Sequence, residues 1–298
     1  MDAKIIDHNF ISPKVIASYL LDSSEGLALV ESGPHSTFGN VEKGLAALGA
    51  AASDIRHVFV THIHLDHSGG AWKYAEMGAK VYVHPNGAEH LTAPERLVAS
   101  AARVFGEDNM ATMWGDIRPI DKDGIKVVED GRTVSLGGLK ITAFDTPGHA
   151  GHHHCYLTND GEMFSGDAAG VRIDSGAVIP PTPPPEINIE LWRETANKIR
   201  SISPECLCPT HFGRHTDVAA HLDDLEEALD EFSSWVGKRV EEGVADDEIA
   251  EGFQRHLEDR VLSRPEGEKL LDSYRNTDTV GMNTGGLIRY WKKFRMEK

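Results

Sequence analysis

The sequence predicts an α/β fold in which short strands and helices alternate before a helical region closes the chain. Three observations carry this. Short β-type runs, such as Leu27–Glu31 and His57–Val60, are separated by a segment with helical spacing. A histidine cluster follows the second of those runs at its carboxyl end, where α/β proteins place their ligands. Beyond His211 the apolar residues recur at helical intervals only.

Taken in order, Val15–Leu21 and Leu27–Glu31 read as strands divided by the turn-like stretch DSSEG. Phe38–Leu48 sets Val41, Leu45 and Leu48 on one helical face. His57–Val60 is a strand that runs into THIHLDHSGG, followed by a helix over Ala71–Met77 and a strand over Lys80–Val83. Residues 94–116 form an amphipathic helical excursion carrying Phe105, Met110, Met113 and Trp114. Such side chains suit either core packing or the wall of an adaptable apolar pocket. Short strands return from Ile125 to Gly166 as IKVVE, TVSL, LKITAFD, HCYLT and EMFSG. The proline-rich stretch Ile179–Glu186 cannot be helical and has few donors for a ladder, so it reads as a stiff loop. Strand and helix signals resume over Ile187–Ile202. Asp217–Val240, Asp246–Val261, Glu266–Tyr274 and Thr284–Phe294 then read as helices, with acidic faces turned to solvent.

Composition narrows the function classes. A chain of 298 residues with 40% apolar and 26% charged residues can bury a proper core and is ordinary for a soluble protein. The first residues lack the basic flank and apolar stretch of a secretory signal, and no apolar run reaches the ~20 residues needed to span a bilayer. A cytoplasmic enzyme without membrane partners is therefore expected. The net charge of −17 argues against nucleic acid as a partner, though not against a small phosphate ester. The three cysteines read as reduced thiols in or near strands, Cys206 and Cys208 being too close to staple distant elements.

The histidines carry the chemistry. His62 and His64 are one residue apart, so at a strand end their side chains point the same way. Asp66 and His67 follow on the turn into the next helix and can reach a second ion a short distance away. Imidazole and carboxylate together suit zinc, iron or manganese rather than calcium or magnesium. Three further positions share the habit of ending a β-type run: His149 after FDTPG, Asp167 after MFSG and His211 after CLCPT. Singly these are ambiguous, because His and Asp are common after turns.

In this order and spacing the motifs resemble the metallo-β-lactamase superfamily, over about Val15 to Phe212. The resemblance implies a four-layer αββα sandwich, two mixed sheets face to face with helices outside and metals at one open edge. Residues 1–216 would be the catalytic domain, with its excursion at 94–116. Residues 217–298 would be a helical extension packing on or near the active site. His62, His64 and His149 would hold one metal, Asp66, His67 and His211 a second, and Asp167 would bridge them. Two departures stand out. Glu31 in LVESG occupies a place where the family often has Asp, and Ala150–Gly151 followed by His152, His153 and His154 replaces the usual Thr–spacer–Gly. Those three histidines fit ligand orientation, substrate contact or buried packing, whereas His84, ending VYVH, reads first as structural.

The activity so implied is metal-dependent hydrolysis by two divalent ions, zinc with iron or manganese as alternatives. Metal binding lowers the pKa of water from ~15.7 toward ~7, so a bridging hydroxide would attack without a protein nucleophile. Asp66 and Asp167 would act as ligands, and either could relay a proton to the leaving group. A small carboxylic ester, lactone or thioester fits the apolar excursion. GDAAG stands where glyoxalase II carries GDTLF, which makes a glutathione thioester doubtful. The alternatives are a phosphodiesterase acting on a small phosphate ester and an iron-dependent sulfur dioxygenase. A homodimer through the excursion or the helical extension is also expected.

Overall fold

Strands buried at nearly every position, such as Ala17–Leu21, Glu162–Gly166 and Cys206–Pro209, build two sheets that face each other. The computed structural model describes residues 3–277 and 280–296, so the outer limits of the two expected regions, Met1 and Lys298, lie outside the described residues. The first sheet contains β1 (Lys4–Asp7), β2 (Ala17–Leu21), β3 (Leu27–Val30), β4 (Ile55–Phe59), β5 (Lys80–Val83) and β6 (Ile125–Val127), in sequence order. Its first two pairings are antiparallel and the rest parallel. The second contains β7 (Thr133–Leu136), β8 (Leu139–Asp145), β9 (His154–Thr158), β10 (Glu162–Gly166) and β11 (Cys206–Pro209), in the order β11-β10-β9-β8-β7. It is antiparallel except for the parallel pair β10–β11.

Alternate residues of each strand serve different layers. Tyr19 and Val30 meet Ile141, Tyr156 and Phe164 in the core between the sheets. Their neighbours Leu20 and Leu29 face the other way, onto helices α1 (Phe38–Ala47) and α3 (Ala71–Glu76), where Val41, Leu45 and Tyr74 are buried, while the short α2 (Leu65–Ser68) sends Leu65 to a separate cluster. On the far side of the second sheet, Met163 and Leu207 pack against Trp192 and Ile199. The result is helix, sheet, sheet, helix, the four-layer sandwich that the resemblance implied. Each fully buried large side chain contributes about 1.5–3 kcal/mol.

The excursion after β5 is three helices, α4 (Pro85–Thr92), α5 (Glu95–Phe105) and α6 (Glu107–Trp114). The expected segment 94–116 is thus divided at Gly106, whose φ of 83° no ordinary helical residue adopts. α4 is an addition that the sequence pattern did not reveal. Its apolar content is low, and it is announced only by Pro85 at its first turn and by His84, whose Nδ1 accepts from the Asn86 backbone N–H at 2.9 Å. Leu97, Ala101 and Phe105 of α5 pack with Phe10 and Trp114 into a separate small cluster.

After α7 (Ile189–Ile202) and β11 come α8 (Val218–Glu241), α9 (Asp246–Leu262), α10 (Gly267–Thr277) and α11 (Val280–Trp291), followed by a π-helical turn at Lys292–Met296. Leu225, Phe232, Phe253 and Tyr274 continue the core of the second sheet's outer face. Arg260, buried between α8 and α9, bridges Asp224 and Glu231 at 2.5 Å each. Among the described residues no helix is long and apolar enough to cross a membrane. Cys155, Cys206 and Cys208 are free thiols buried in β9 and β11.

Two strand expectations are corrected at their ends. The run beginning at Val15 pairs only from Ala17 onward, because Val15 and Ile16 join the cluster around Phe10 and Trp114. The run ending at Glu31 pairs only to Val30, because Glu31 turns out of the strand with φ 65°.

Candidate metal centre

Seven side chains converge where the strands of both sheets end. His62 and His64 sit on the segment leaving β4, and His64 is the residue that opens α2. Asp66 and His67 lie within α2, so one helical turn presents them beside the first two. His149 comes from the turn after β8, Asp167 directly follows β10, and His211 follows β11. All seven residues singled out in the sequence are brought together.

They form two groups. His62 Nε2 and His149 Nε2 lie 2.8 and 3.0 Å from His64 Nδ1. Asp167 Oδ2 joins them, 3.2 Å from His149 Nε2 and 3.9 Å from His62 Nε2. In the second group, Asp66 Oδ2 is 3.5 Å from His67 Nε2 and 3.3 Å from His211 Nε2. Asp167 reaches this group through its other oxygen, Oδ1, at 3.4 Å from His67 and 3.6 Å from His211. One carboxylate therefore faces both groups, an oxygen to each.

The remote ring nitrogens explain why the inner ones are available. His149 Nδ1 lies 2.8 Å from the Pro181 carbonyl and His211 Nδ1 2.6 Å from the Val15 carbonyl. A carbonyl only accepts, so each Nδ1 carries the proton and each Nε2 turns a bare lone pair inward. His67 Nδ1 is held in the same way by Glu31 Oε1 at 2.9 Å. Glu31 also accepts from Thr61 Oγ1 (2.5 Å), Thr210 Oγ1 (3.0 Å) and the Thr61 backbone N–H (3.2 Å). The departure from Asp at this place thus keeps a buried carboxylate behind His67.

Burial and neighbouring imidazoles push the pKa values of His62 and His64 far down, and burial also lowers His149. Burial acts downward on His67 and His211 too, but there Asp66 and Asp167 prevail and raise both. Burial would raise Asp66 and Asp167, yet the adjacent His67 outweighs it and both stay well below the usual carboxylate range. Among the described residues, His67 Nε2 and Asp167 Oδ1 are two of the buried polar atoms without a hydrogen-bond partner. Buried polar atoms are normally satisfied, and these face one another across 3.4 Å. Lone pairs of imidazole and carboxylate, orphaned and convergent, fit transition-metal ions.

The ambiguous histidines separate. His153 accepts from the Asp167 backbone N–H at 3.2 Å through Nε2, which leaves Nδ1 to donate to Thr146 Oγ1 at 2.8 Å. It positions Asp167. His154 and His84 turn to Asp145 Oδ1, at 2.7 and 3.3 Å, away from the two groups. His152 borders the cavity described next. Sequence reasoning missed the Val15 and Pro181 carbonyls, for which no side-chain signal exists, and the two threonines that share Glu31.

A cavity of about 410 Å³ opens over Asp66, Asp167 and His211. Its walls come from Phe10 and Ile16, from Leu97 and Phe105 of α5, from Trp114 and from the proline loop. Asn276 and Thr277 of α10 also border it, so the helical region contributes to the same space.

Residues 11–211 match the family model of the metallo-beta-lactamase superfamily, a span that contains all seven converging residues. The chain belongs to that superfamily. Its members are metal-dependent hydrolases. A metallo-beta-lactamase fold-containing protein from Sulfurisphaera tokodaii is 26% identical over 67% of this chain and 74% of its own length. An atrochrysone carboxyl ACP thioesterase from Aspergillus fumigatus is 25% identical over 60% of this chain, which spans only 33% of that enzyme. A hydroxyacylglutathione hydrolase from Hyphomonas neptunium is 25% identical over 62% of this chain and 60% of that enzyme. Among solved structures, a metallo-beta-lactamase family protein from Thermus thermophilus superposes with a TM-score of 0.73 at 18% identity. That match covers 98% of this chain and 93% of the other, so the shared fold extends through the helical region.

Proposed function

We propose that this superfamily hydrolase cleaves a small carboxylic ester or thioester, a lactone included, using two divalent metal ions, zinc by preference. The observation that carries the reading is Asp167, whose two oxygens face His62 and His149 on one side and His67 and His211 on the other. His62, His64 and His149 would hold one ion, Asp66, His67 and His211 the other, with Asp167 shared. When bound, such ions polarise a substrate oxygen and supply hydroxide at neutral pH, so no Ser or Cys nucleophile is required.

The chain's own residues do the rest. Carbonyls of Val15 and Pro181 and the Glu31 carboxylate fix three of the rings in the tautomer that leaves Nε2 free. Asp66 and Asp167 both border the cavity, which supports the reading that either passes a proton toward a leaving group. Apolar walls exclude water and accept an acyl chain. The names of two relatives, an acyl-carrier thioesterase and a hydroxyacylglutathione hydrolase, support thioester chemistry.

The test is metal analysis of the purified protein combined with a panel of acyl thioesters, lactones, p-nitrophenyl esters and bis-p-nitrophenyl phosphate. About two metal equivalents with turnover of the carboxylic substrates is the expected result. Preference for the phosphodiester, or a single iron with oxygen consumption on persulfides, would overturn the reading.

A further inference from the structure

The cavity has a charged edge that the hydrolytic reading does not use. On α5, Leu97, Ala101 and Phe105 follow one another at intervals of four and pack into the cluster with Phe10 and Trp114. The neighbouring stripe is Arg96, Ser100 and Arg103, and these also line the cavity that holds Asp66 and Asp167. Seven helical residues place the two arginines roughly 10 Å apart along the axis, two turns on one side of the helix. Both are exposed, and neither forms a salt bridge among the described residues. Most other arginines near carboxylates are engaged: Arg118 with Asp116, Arg172 with Asp217, Arg200 with Asp223 and Arg260 with Asp224.

Arg56, Arg132 and Arg255 also lack a salt bridge among the described residues, but they do not border the cavity. The chain carries 47 acidic residues against 30 basic ones. Acidic partners are abundant, yet Arg96 and Arg103 line a cavity whose own exposed carboxylate, Glu186, is already turned to the Gly151 backbone N–H at 2.8 Å. Two guanidinium groups on one helix put positive charge beside a cavity in a chain that carries a net charge of −17. Guanidinium groups bind carboxylate and phosphate through paired hydrogen bonds, which gives both affinity and orientation.

We propose that Arg96 and Arg103 form an anion subsite, so that the preferred substrate carries a carboxylate or phosphate on the portion remote from the scissile carbonyl. The apolar acyl part lies against Phe10, Phe105 and Trp114, and the charged end meets α5. This rests on the ester or thioester reading above, and it assigns the arginines to specificity rather than to the bond-breaking step. They act on binding, and kcat for a saturating substrate is set elsewhere.

The experiment compares Arg96→Gln, Arg103→Gln and the double variant with the parent, all metal-loaded. The substrates are octanoyl thioesters of N-acetylcysteamine, 3-mercaptopropionate and 4′-phosphopantetheine, which are neutral, carboxylate and phosphate versions of one acyl group. The double variant should raise KM for an anionic thioester about 10- to 100-fold, with kcat and the neutral substrate unchanged within about twofold. The anion that loses more identifies the chemistry read. In the parent, raising the salt concentration should raise KM for the anionic thioester only. Equal effects on neutral and anionic substrates, or none on either, would overturn the subsite. If no thioester turns over, calorimetry with the matching non-hydrolysable thioethers decides separately. Anion-dependent binding lost in the double variant retains the subsite and sinks the thioester reading, and binding indifferent to charge sinks both.

Discussion

Glu31→Gln is the substitution that best isolates how the scaffold holds the candidate metal ligands. Glu31 is 1% exposed and accepts four hydrogen bonds, three at Oε1 from Thr61 Oγ1, His67 Nδ1 and Thr210 Oγ1, and one at Oε2 from the Thr61 backbone N–H. A glutamine keeps the shape but has one acceptor oxygen and a donor NH2. With its oxygen at the crowded position, the NH2 meets the Thr61 N–H, donor against donor. The three retained bonds lose their charge assistance at about 1 kcal/mol each, and the orphaned N–H costs about 1–3 kcal/mol. Burying a neutral amide in place of a charge returns part of this, leaving a net loss of about 2–4 kcal/mol. The proton on His67 Nδ1 is then less firmly held, and loss of such an outer partner weakens metal binding by about 10–100-fold. Competition with a chelator measures that affinity, and denaturant titration of the metal-free protein measures the stability. Affinity within twofold of the parent together with unchanged stability would refute the account of Glu31 as the group that orients His67.

Three other perturbations test separate parts of the structure. Asp167→Ala removes the carboxylate that faces both groups, so if two ions share it as proposed, metal content by elemental analysis should fall by more than one equivalent, whereas His149→Ala should lose one; equal losses would contradict the proposed sharing. Gly166→Ala places a Cβ against Thr61 Oγ1 and 2.6 Å from His153 Nε2 at a φ of 50°, so it should displace the adjacent Asp167; retention of full metal content would show that the close approach is not needed. Burial, and then His215, lower the pKa of His221 to about 3, so it is kept neutral in the folded state. The unfolded chain takes up that proton below about 6.5, so the stability this confers is complete above that pH and is lost as the pH falls toward the folded value. Between pH 7 and pH 5 the loss is about 2 kcal/mol, and His221→Gln should flatten the denaturation-derived stability profile by that amount; an unchanged slope would exclude the linkage.

What the sequence disclosed about this site followed from where the relevant atoms reside. Four of the converging residues lie within His62–His67, and a turn and one short helix are enough to bring them together. The other three each follow a strand within four residues, and strands such as His154–Thr158 and Glu162–Gly166 have bounds that match the sequence pattern because turn residues flank them. β1 was invisible for the opposite reason. Its four residues include two exposed ones, and its place is set by pairing with β2 rather than by any pattern of its own. The backbone carbonyls were invisible in a deeper sense. Pro181 and Val15 orient His149 and His211 through atoms that every residue possesses, so only the path of the chain identifies them. The error at Val15 belongs to this effect. Its β-type character suggested a strand, but the ladder begins two residues later, and the unpaired segment supplies a carbonyl to His211 and side chains to the cavity wall. A strand-forming sequence was therefore held out of the sheet at the point where the site required its backbone.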